Sequence, residues 1–138
     1  MTIIIGIDPG SRLTGYGIIN DHKGVQCAID FGVIRTKGDA LSQRLYSIHQ
    51  QLLSLSQQHD FDVLAIESIF FAKNAQSALK LGQARGAAIA ALVHNDLPCF
   101  EYSPRQVKQS VVGFGGATKV QMQHMVRSLL KLQQTPPP

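Results

Sequence analysis

The sequence predicts a mixed α/β fold that begins as an antiparallel sheet and continues with parallel strands. Residues 2–36 contain three β-rich runs separated by turn signals, and a helical repeat between Ala40 and His59 precedes a fourth run, Val63–Ile66. A strand that returns after a helical crossover is expected to add parallel to the existing sheet, with a right-handed connection. With a short fifth run at Pro98–Tyr102, the predicted class is therefore a five-stranded sheet flanked by helices. Three antiparallel strands come first and parallel additions follow.

Local signals define the elements of the first half. The first strand ends at Pro9-Gly10-Ser11, and Asp21-His22-Lys23-Gly24 is a hairpin connection into the third strand. Leucine and isoleucine then recur at spacings of three and four, which predicts a helix with one apolar stripe: Leu41, Leu45, Ile48, Leu52 and Leu55.

In the second half, a long helix is predicted from Asn74, which can cap its first turn, to about Asn95. Pro98–Tyr102 is a short strand, and Ser103-Pro104 starts a short helix that ends at Val112. The last helix is predicted from Thr118 to about Leu132. Its apolar stripe is assigned to the core: Val120, Met125, Leu129 and Leu132.

Two glycines lie on one face of the long helix. Ala78, Gly82 and Gly86 follow each other at a spacing of four, and a glycine inside a helix costs about 1 kcal/mol relative to alanine. Close approach of another backbone would offset that cost. The sheet of the same subunit is slightly favoured as this neighbour, and the same helix of a second subunit is the alternative.

Length and composition predict one domain over residues 1–132, followed by a proline-rich tail or linker at 133–138. No apolar run approaches the 18 or so residues of a membrane span, and a cytoplasmic location is expected. The net charge is +4, and residues 102–138 carry five positive charges and no acid, which favours a phosphate-bearing partner. Cys27 and Cys99 are predicted to be buried free thiols.

Two apolar runs end abruptly on a carboxylate, at Asp8 and at Glu67. Two carboxylates brought to ~4 Å repel by roughly 4 kcal/mol at an effective dielectric of 20, so a cation is expected between them. Mg²⁺ is the candidate, because it takes one or two carboxylates and commonly acts on phosphates. The alternative is that each acid is only a strand-end or turn residue.

Four co-linear motifs resemble the RuvC family of Holliday-junction resolvases, which have the ribonuclease H-like fold. The motifs are residues 6–17 (GIDPGSRLTGYG), 65–67 (AIE), 71–86 (FAKNAQSALKLGQARG) and 105–113 (RQVKQSVVG). The resemblance implies a homodimeric, Mg²⁺-dependent endonuclease that binds four-way DNA junctions and nicks two opposed strands symmetrically during recombination and repair. It also suggests a branch-migration motor as a partner.

The resemblance assigns roles to individual residues. Asp8 and Glu67 match the first two metal-binding acids, which would help to hold two ions in a complete enzyme. Phe70 matches an aromatic position placed against bases near the junction. Lys108 and Lys119 match positions that contact DNA. The full set of candidate phosphate contacts is Lys73, Lys80, Arg85, Arg105, Lys108 and Lys119.

The sequence departs from the family pattern at its end. The family completes its metal site with acids on a C-terminal helix, and no acid follows Glu101 here. The expectation is a chain shortened at the C-terminus that holds one ion weakly and binds junctions without two-ion cleavage. Two other functions are weighed against the nuclease: a non-catalytic junction-binding module and an ATP-binding domain related to actin and sugar kinases.

Overall fold

A computed structural model of the protein describes residues 1–36, 38–68, 74–93, 96–113, 115–130 and 132. Within those residues the elements follow in this order: β1 (Thr2–Asp8), β2 (Leu13–His22), β3 (Val25–Arg35), α1 (Leu41–Gln58), β4 (Val63–Glu67), α2 (Ala75–Leu92), β5 (Cys99–Tyr102), α3 (Pro104–Val112) and α4 (Lys119–Leu130). The proline-rich segment 133–138 lies outside the described residues. None of the helices described is long and apolar enough to cross a membrane.

The five strands form one sheet in the order β3-β2-β1-β4-β5. β1 pairs antiparallel with β2, and β2 with β3, whereas β4 joins β1, and β5 joins β4, in parallel. The predicted fold class is therefore confirmed. The parallel additions place the C-terminal ends of β1 and β4 at the same edge of the sheet.

Side-chain alternation gives the sheet two different faces. One face, called the core face, packs against α1 and α2, and its β1 and β4 residues are almost fully buried: Ile5, Ile7, Leu64 and Ile66. The predicted stripe of α1 supplies Ile48, Leu52 and Leu55 to the same core. The other face, called the groove face, carries Gly6, Asp8, Ala65 and Glu67 and is overlaid by α3 and α4.

The helix starts predicted from capping residues are confirmed. The side-chain oxygen of Asn74 accepts a hydrogen bond of 2.9 Å from the N–H of Ser77. Ser103 and Gln106 form a reciprocal capping box, with Pro104 as the first helical residue. These bonds satisfy N–H groups that otherwise have no partner in the first turn.

The preferred explanation for the glycines of α2 is wrong. Gly82 and Gly86 are both exposed, and a Cβ added at either position would meet nothing within 4 Å. Helix α2 is buried through its alanines, Ala84, Ala88 and Ala91, instead, and it packs closely against α1. No backbone among the described residues approaches the two glycines.

The stripe predicted for α4 is wrong at Val120 and Leu129, whereas Met125 and Leu132 are half-buried and Leu132 lines the groove. Val120 and Leu129 are 72% and 52% exposed, and no residue of α4 is buried. The face that turns towards the sheet carries Met122, Val126 and Leu130 instead. Both stripes have helical spacing, so only the position of the sheet decides between them.

The two cysteines are free but exposed, which corrects the prediction of buried thiols. Cys27 lies on β3 and Cys99 on β5. These are the two edge strands of the sheet. An edge strand has a neighbouring strand on one side only, so its side chains are more accessible than those of a central strand.

Candidate active site

Asp8 and Glu67 are neighbours on the groove face. Ile7 pairs with Ile66 in the parallel ladder between β1 and β4, so the next residue on each strand is one of the two acids. Adjacent strands lie about 4.8 Å apart. The sheet register, which the sequence alone does not give, thus brings together the two carboxylates predicted to share a cation.

The environment of Glu67 favours its protonated form. Burial of the carboxyl group, the negative charge of Asp8 and a hydrogen bond to Asp8 together raise the pKa of Glu67 to about 7. The positive charge of Lys108 acts in the opposite direction. A divalent cation would relieve the same repulsion, because it favours both carboxylates in their charged form.

The two acids face an open groove with a volume of about 590 Å³. Its floor is made of small residues of the central strands, including Gly6, Gly15, Gly17 and Ala65, and its wall is made by α3 and α4. A Cβ added at Gly17 would meet nothing within 4 Å. Gly15 pairs with Asp8, and a Cβ added there would contact the Asp8 Cβ at 3.7 Å, so glycine leaves space beside that acid.

Hydrogen bonds from a buried side chain fix the turn that follows Asp8. The fully buried hydroxyl of Thr14 donates to the carbonyl oxygen of Gly10 at 2.8 Å and accepts from the N–H of Gly10 at 3.3 Å. A Cβ at Gly10 would lie 2.1 Å from the carbonyl oxygen of Leu13. The close approach of these backbones explains why glycine stands two residues after the acid.

Thr36, the residue after β3, fixes the same turn by hydrogen bonds. Thr36 donates its N–H to the carbonyl oxygen of Arg12 at 3.0 Å, and its hydroxyl donates to the carbonyl oxygen of Ser11 at 3.0 Å. Sequence reasoning missed both Thr14 and Thr36, because a threonine near a strand end carries no signal of which carbonyl groups it will meet.

Comparison with known proteins identifies the family. A sequence model described as Crossover junction endodeoxyribonuclease RuvC matches residues 4–138. Proteins of that name from Enterobacter sp. (strain 638) and Proteus mirabilis (strain HI4320) are 58% and 57% identical to this chain. Each alignment covers 99% of this chain and 79% of the relative. The chain belongs to the RuvC family.

Solved structures support the same assignment. The structure of T. thermophilus RuvC in complex with Holliday junction substrate matches with a TM-score of 0.90 and 30% identity, over 100% of this chain and 85% of that one. The yeast mitochondrial Holliday junction resolvase Ydc2 has a TM-score of 0.66 at 18% identity, over 94% of this chain and 61% of its own. The second match concerns the fold alone. This sheet with its four helices is the ribonuclease H-like fold, and the family assigns the chain to the endodeoxyribonucleases.

Two cations predicted from the RuvC resemblance line the groove, and the charge of Lys108 acts on Glu67. Lys108 of α3 and Lys119 at the start of α4 both line the groove with Asp8 and Glu67. Arg105 is exposed on α3, and its side chain lies against Gly115, where an added Cβ would approach it to 2.4 Å. Helix α3 and the start of α4 thus bring positive charge to the groove.

The remaining predicted contacts lie elsewhere. Lys80 and Arg85 belong to α2, which packs on the core face. Arg85 forms an ion pair with Glu101 of β5, so part of its charge is compensated within the chain. Phe70 and Lys73 lie outside the described residues, and their predicted roles are not tested by the structure.

Proposed function

We propose that this chain binds four-way DNA junctions as a dimer and that Asp8 and Glu67 hold the Mg²⁺ used to hydrolyse DNA phosphodiesters. The observation that carries the proposal is the pair of acids on the floor of an open groove, with Lys108 and Lys119 beside them. The likeness to a RuvC structure whose description includes a Holliday junction supports the junction as substrate. The kinase-like alternative finds no support in the matching family.

The donor set fits a hard divalent cation. Asp8 and Glu67 offer carboxylate oxygens, and because burial and the charge of Asp8 raise the pKa of Glu67, a divalent cation between the two groups would stabilise both charged forms. The chemistry that Mg²⁺ would supply at Asp8 and Glu67 is activation of a water nucleophile and stabilisation of the leaving oxygen. Lys108 and Lys119 would orient the phosphate, and the locked turn at Gly10 keeps Asp8 in place.

The two-ion hydrolysis that the family resemblance implies would need further ligands beside Asp8 and Glu67. No group of three or more His, Cys, Asp or Glu side chains that could hold a metal occurs among the described residues. Two-ion hydrolysis, which the family resemblance implies, uses a larger set of carboxylates. We therefore expect one weakly held ion and junction binding without efficient nicking, with further acids required for the full reaction.

The exposed stripe of α2 supports the dimer. Leu79 is 67% exposed and lies on the same helix face as the exposed Gly82 and Gly86. Two interior glycines without a backbone neighbour destabilise the isolated helix by about 1 kcal/mol each. A second copy of α2 across a twofold axis would supply that neighbour. A branch-migration motor partner stays a prediction of the resemblance.

Comparison of a four-way junction with a linear duplex built from the same arms tests the function. Binding is measured by gel shift in Ca²⁺ at about 0.1 M salt, so that recognition is separated from cleavage. We expect the junction to bind more tightly than the duplex, because a branched substrate can bring phosphates to the basic side chains of both subunits of the proposed dimer. Sedimentation of the same samples is expected to show a dimer.

Equal affinity for junction and duplex would contradict junction recognition. A strong preference without Mg²⁺-dependent nicking, even after acids are supplied on an added C-terminal helix, would favour the non-catalytic binding module. A monomer that binds junctions tightly would contradict the dimer while leaving the substrate assignment intact.

A further inference from the structure

Two exposed arginines lie on the β2 and β3 side of the acids, whereas Lys108 lies on the side of β4. Arg12 belongs to the locked turn after Asp8, and Arg35 is the last residue of β3. We call these two residues the β3 shelf. Their backbones are adjacent, because Leu13 pairs with Arg35 and the N–H of Thr36 donates to the carbonyl oxygen of Arg12.

The sheet register places Arg35 on the groove face. Asp8 pairs with Gly15, and Gly15 pairs with Val33. Arg35 follows Val33 by two residues and therefore projects from the same face of the sheet. With strands about 4.8 Å apart and about 3.4 Å of rise per residue, the Cα atoms of Arg35 and Asp8 are separated by roughly 12 Å.

The charges of the β3 shelf are not compensated within the described part of the chain. Neither arginine side chain forms an ion pair or a hydrogen bond there, in contrast to Arg85 with Glu101. The backbone beneath Arg12 is fixed by Thr14 and Thr36. An exposed guanidinium on a fixed backbone loses less freedom on binding than one on a mobile loop.

We propose that the β3 shelf binds backbone phosphates of the DNA strand that crosses the acids, a few nucleotides from the cleaved bond. Lys108 stands next to Glu67, which is on β4, whereas the β3 shelf lies beyond β2. Cations then flank the acids on both sides. A strand carries one charge per about 3.4 Å of axis, so roughly 12 Å corresponds to three or four phosphates.

This inference rests on the proposed function, and salt dependence tests it separately. The double variant Arg12→Gln/Arg35→Gln removes both charges, whereas Arg12→Lys/Arg35→Lys keeps them. Lys23→Asn is the control, because Lys23 is an exposed cation in the turn at the other end of the β2–β3 hairpin, with a φ of 54° that Asn tolerates. Junction affinity is measured in Ca²⁺ over a range of salt concentrations, and thermal unfolding confirms that each variant is folded.

The slope of log affinity against log salt is expected to fall in magnitude by about 1.8 in the Gln variant, since each phosphate contact contributes about 0.9. The Lys variant and Lys23→Asn should keep the wild-type slope. If the Gln variant keeps that slope while wild type still prefers junctions, the β3 shelf proposal fails and the proposed function stands. If Arg35→Gln alone, or the Lys variant, lowers the slope as much as the double Gln variant does, the assignment of one phosphate contact to each arginine is likewise overturned. Absence of junction binding by wild type would overturn both.

Discussion

Replacement of Asp8 by Asn is expected to weaken divalent-cation binding more than ~100-fold and to lower the pKa of Glu67 from about 7. The first expectation follows because loss of a residue that merely supports a metal ligand already costs 10–100-fold in affinity. The second follows because Asn removes the negative charge beside Glu67. Burial is the larger cause of the raised pKa, so the value should fall but stay above the ordinary 4.5.

The chain suits this measurement because it contains only two glutamates, Glu67 and Glu101. Carbon-13 labelling of glutamate gives two carboxyl resonances, and Glu101→Gln assigns them. Asp60→Asn is the matched control, since Asp60 is an exposed acid that precedes β4 at the end opposite Glu67. An unchanged Glu67 titration in Asp8→Asn, or an equal change in Asp60→Asn, would contradict the coupling of the two acids.

Replacement of Gly10 by Ala is expected to lower the free energy of unfolding by about 3 kcal/mol, at the upper end of overpacking costs. The added Cβ would lie 2.1 Å from the carbonyl oxygen of Leu13 and 3.3 Å from its carbonyl carbon. Both are backbone atoms, so no side chain can move aside. The turn itself must shift, which also displaces Asp8 two residues earlier.

Gly17→Ala is the control for that substitution. A Cβ at Gly17 would meet nothing within 4 Å, and alanine in a strand restricts the unfolded chain more than glycine does. Its unfolding free energy should equal or exceed that of wild type by about 0.5 kcal/mol. Urea unfolding followed by circular dichroism compares the variants, and equal stabilities of Gly10→Ala and Gly17→Ala would show that the turn is not tightly packed.

Much of the fold could be predicted because its signals are local. The stripe of α1, the caps at Asn74 and Ser103 and the hairpin at Lys23-Gly24 depend on residues a few positions apart. The proximity of Asp8 and Glu67 could be predicted from the order of the elements. A strand that follows a helical crossover adds in parallel, and parallel strands end at the same edge of a sheet. The protonation of these two acids could not be predicted, because it depends on the burial and charge that the register creates.

Features that depend on distant neighbours escaped prediction. Arg44 is 6% exposed within α1, where its Nη1 donates to the carbonyl oxygen of Asp39 at 3.0 Å. A charged residue in the first turn of a helix is ordinarily a surface residue, and nothing local marks this one as buried. The predictions for the core stripe of α4 and for the neighbour of the α2 glycines were wrong for the same reason. A helix has several faces, and tertiary packing selects which of them is buried.

If Asp8 and Glu67 together hold one divalent cation, binding of that cation must displace the proton of Glu67. Mn²⁺ is titrated calorimetrically into the wild-type chain at pH 7.0 in two buffers that differ in ionisation enthalpy. Because the raised pKa of Glu67, about 7, leaves this carboxyl group partly protonated at pH 7.0, ion binding should release protons at pH 7.0 and fewer at pH 8.0. Glu67→Gln should bind more weakly and release none. Binding without proton release at pH 7.0, or the same release from Glu67→Gln, would contradict the shared site.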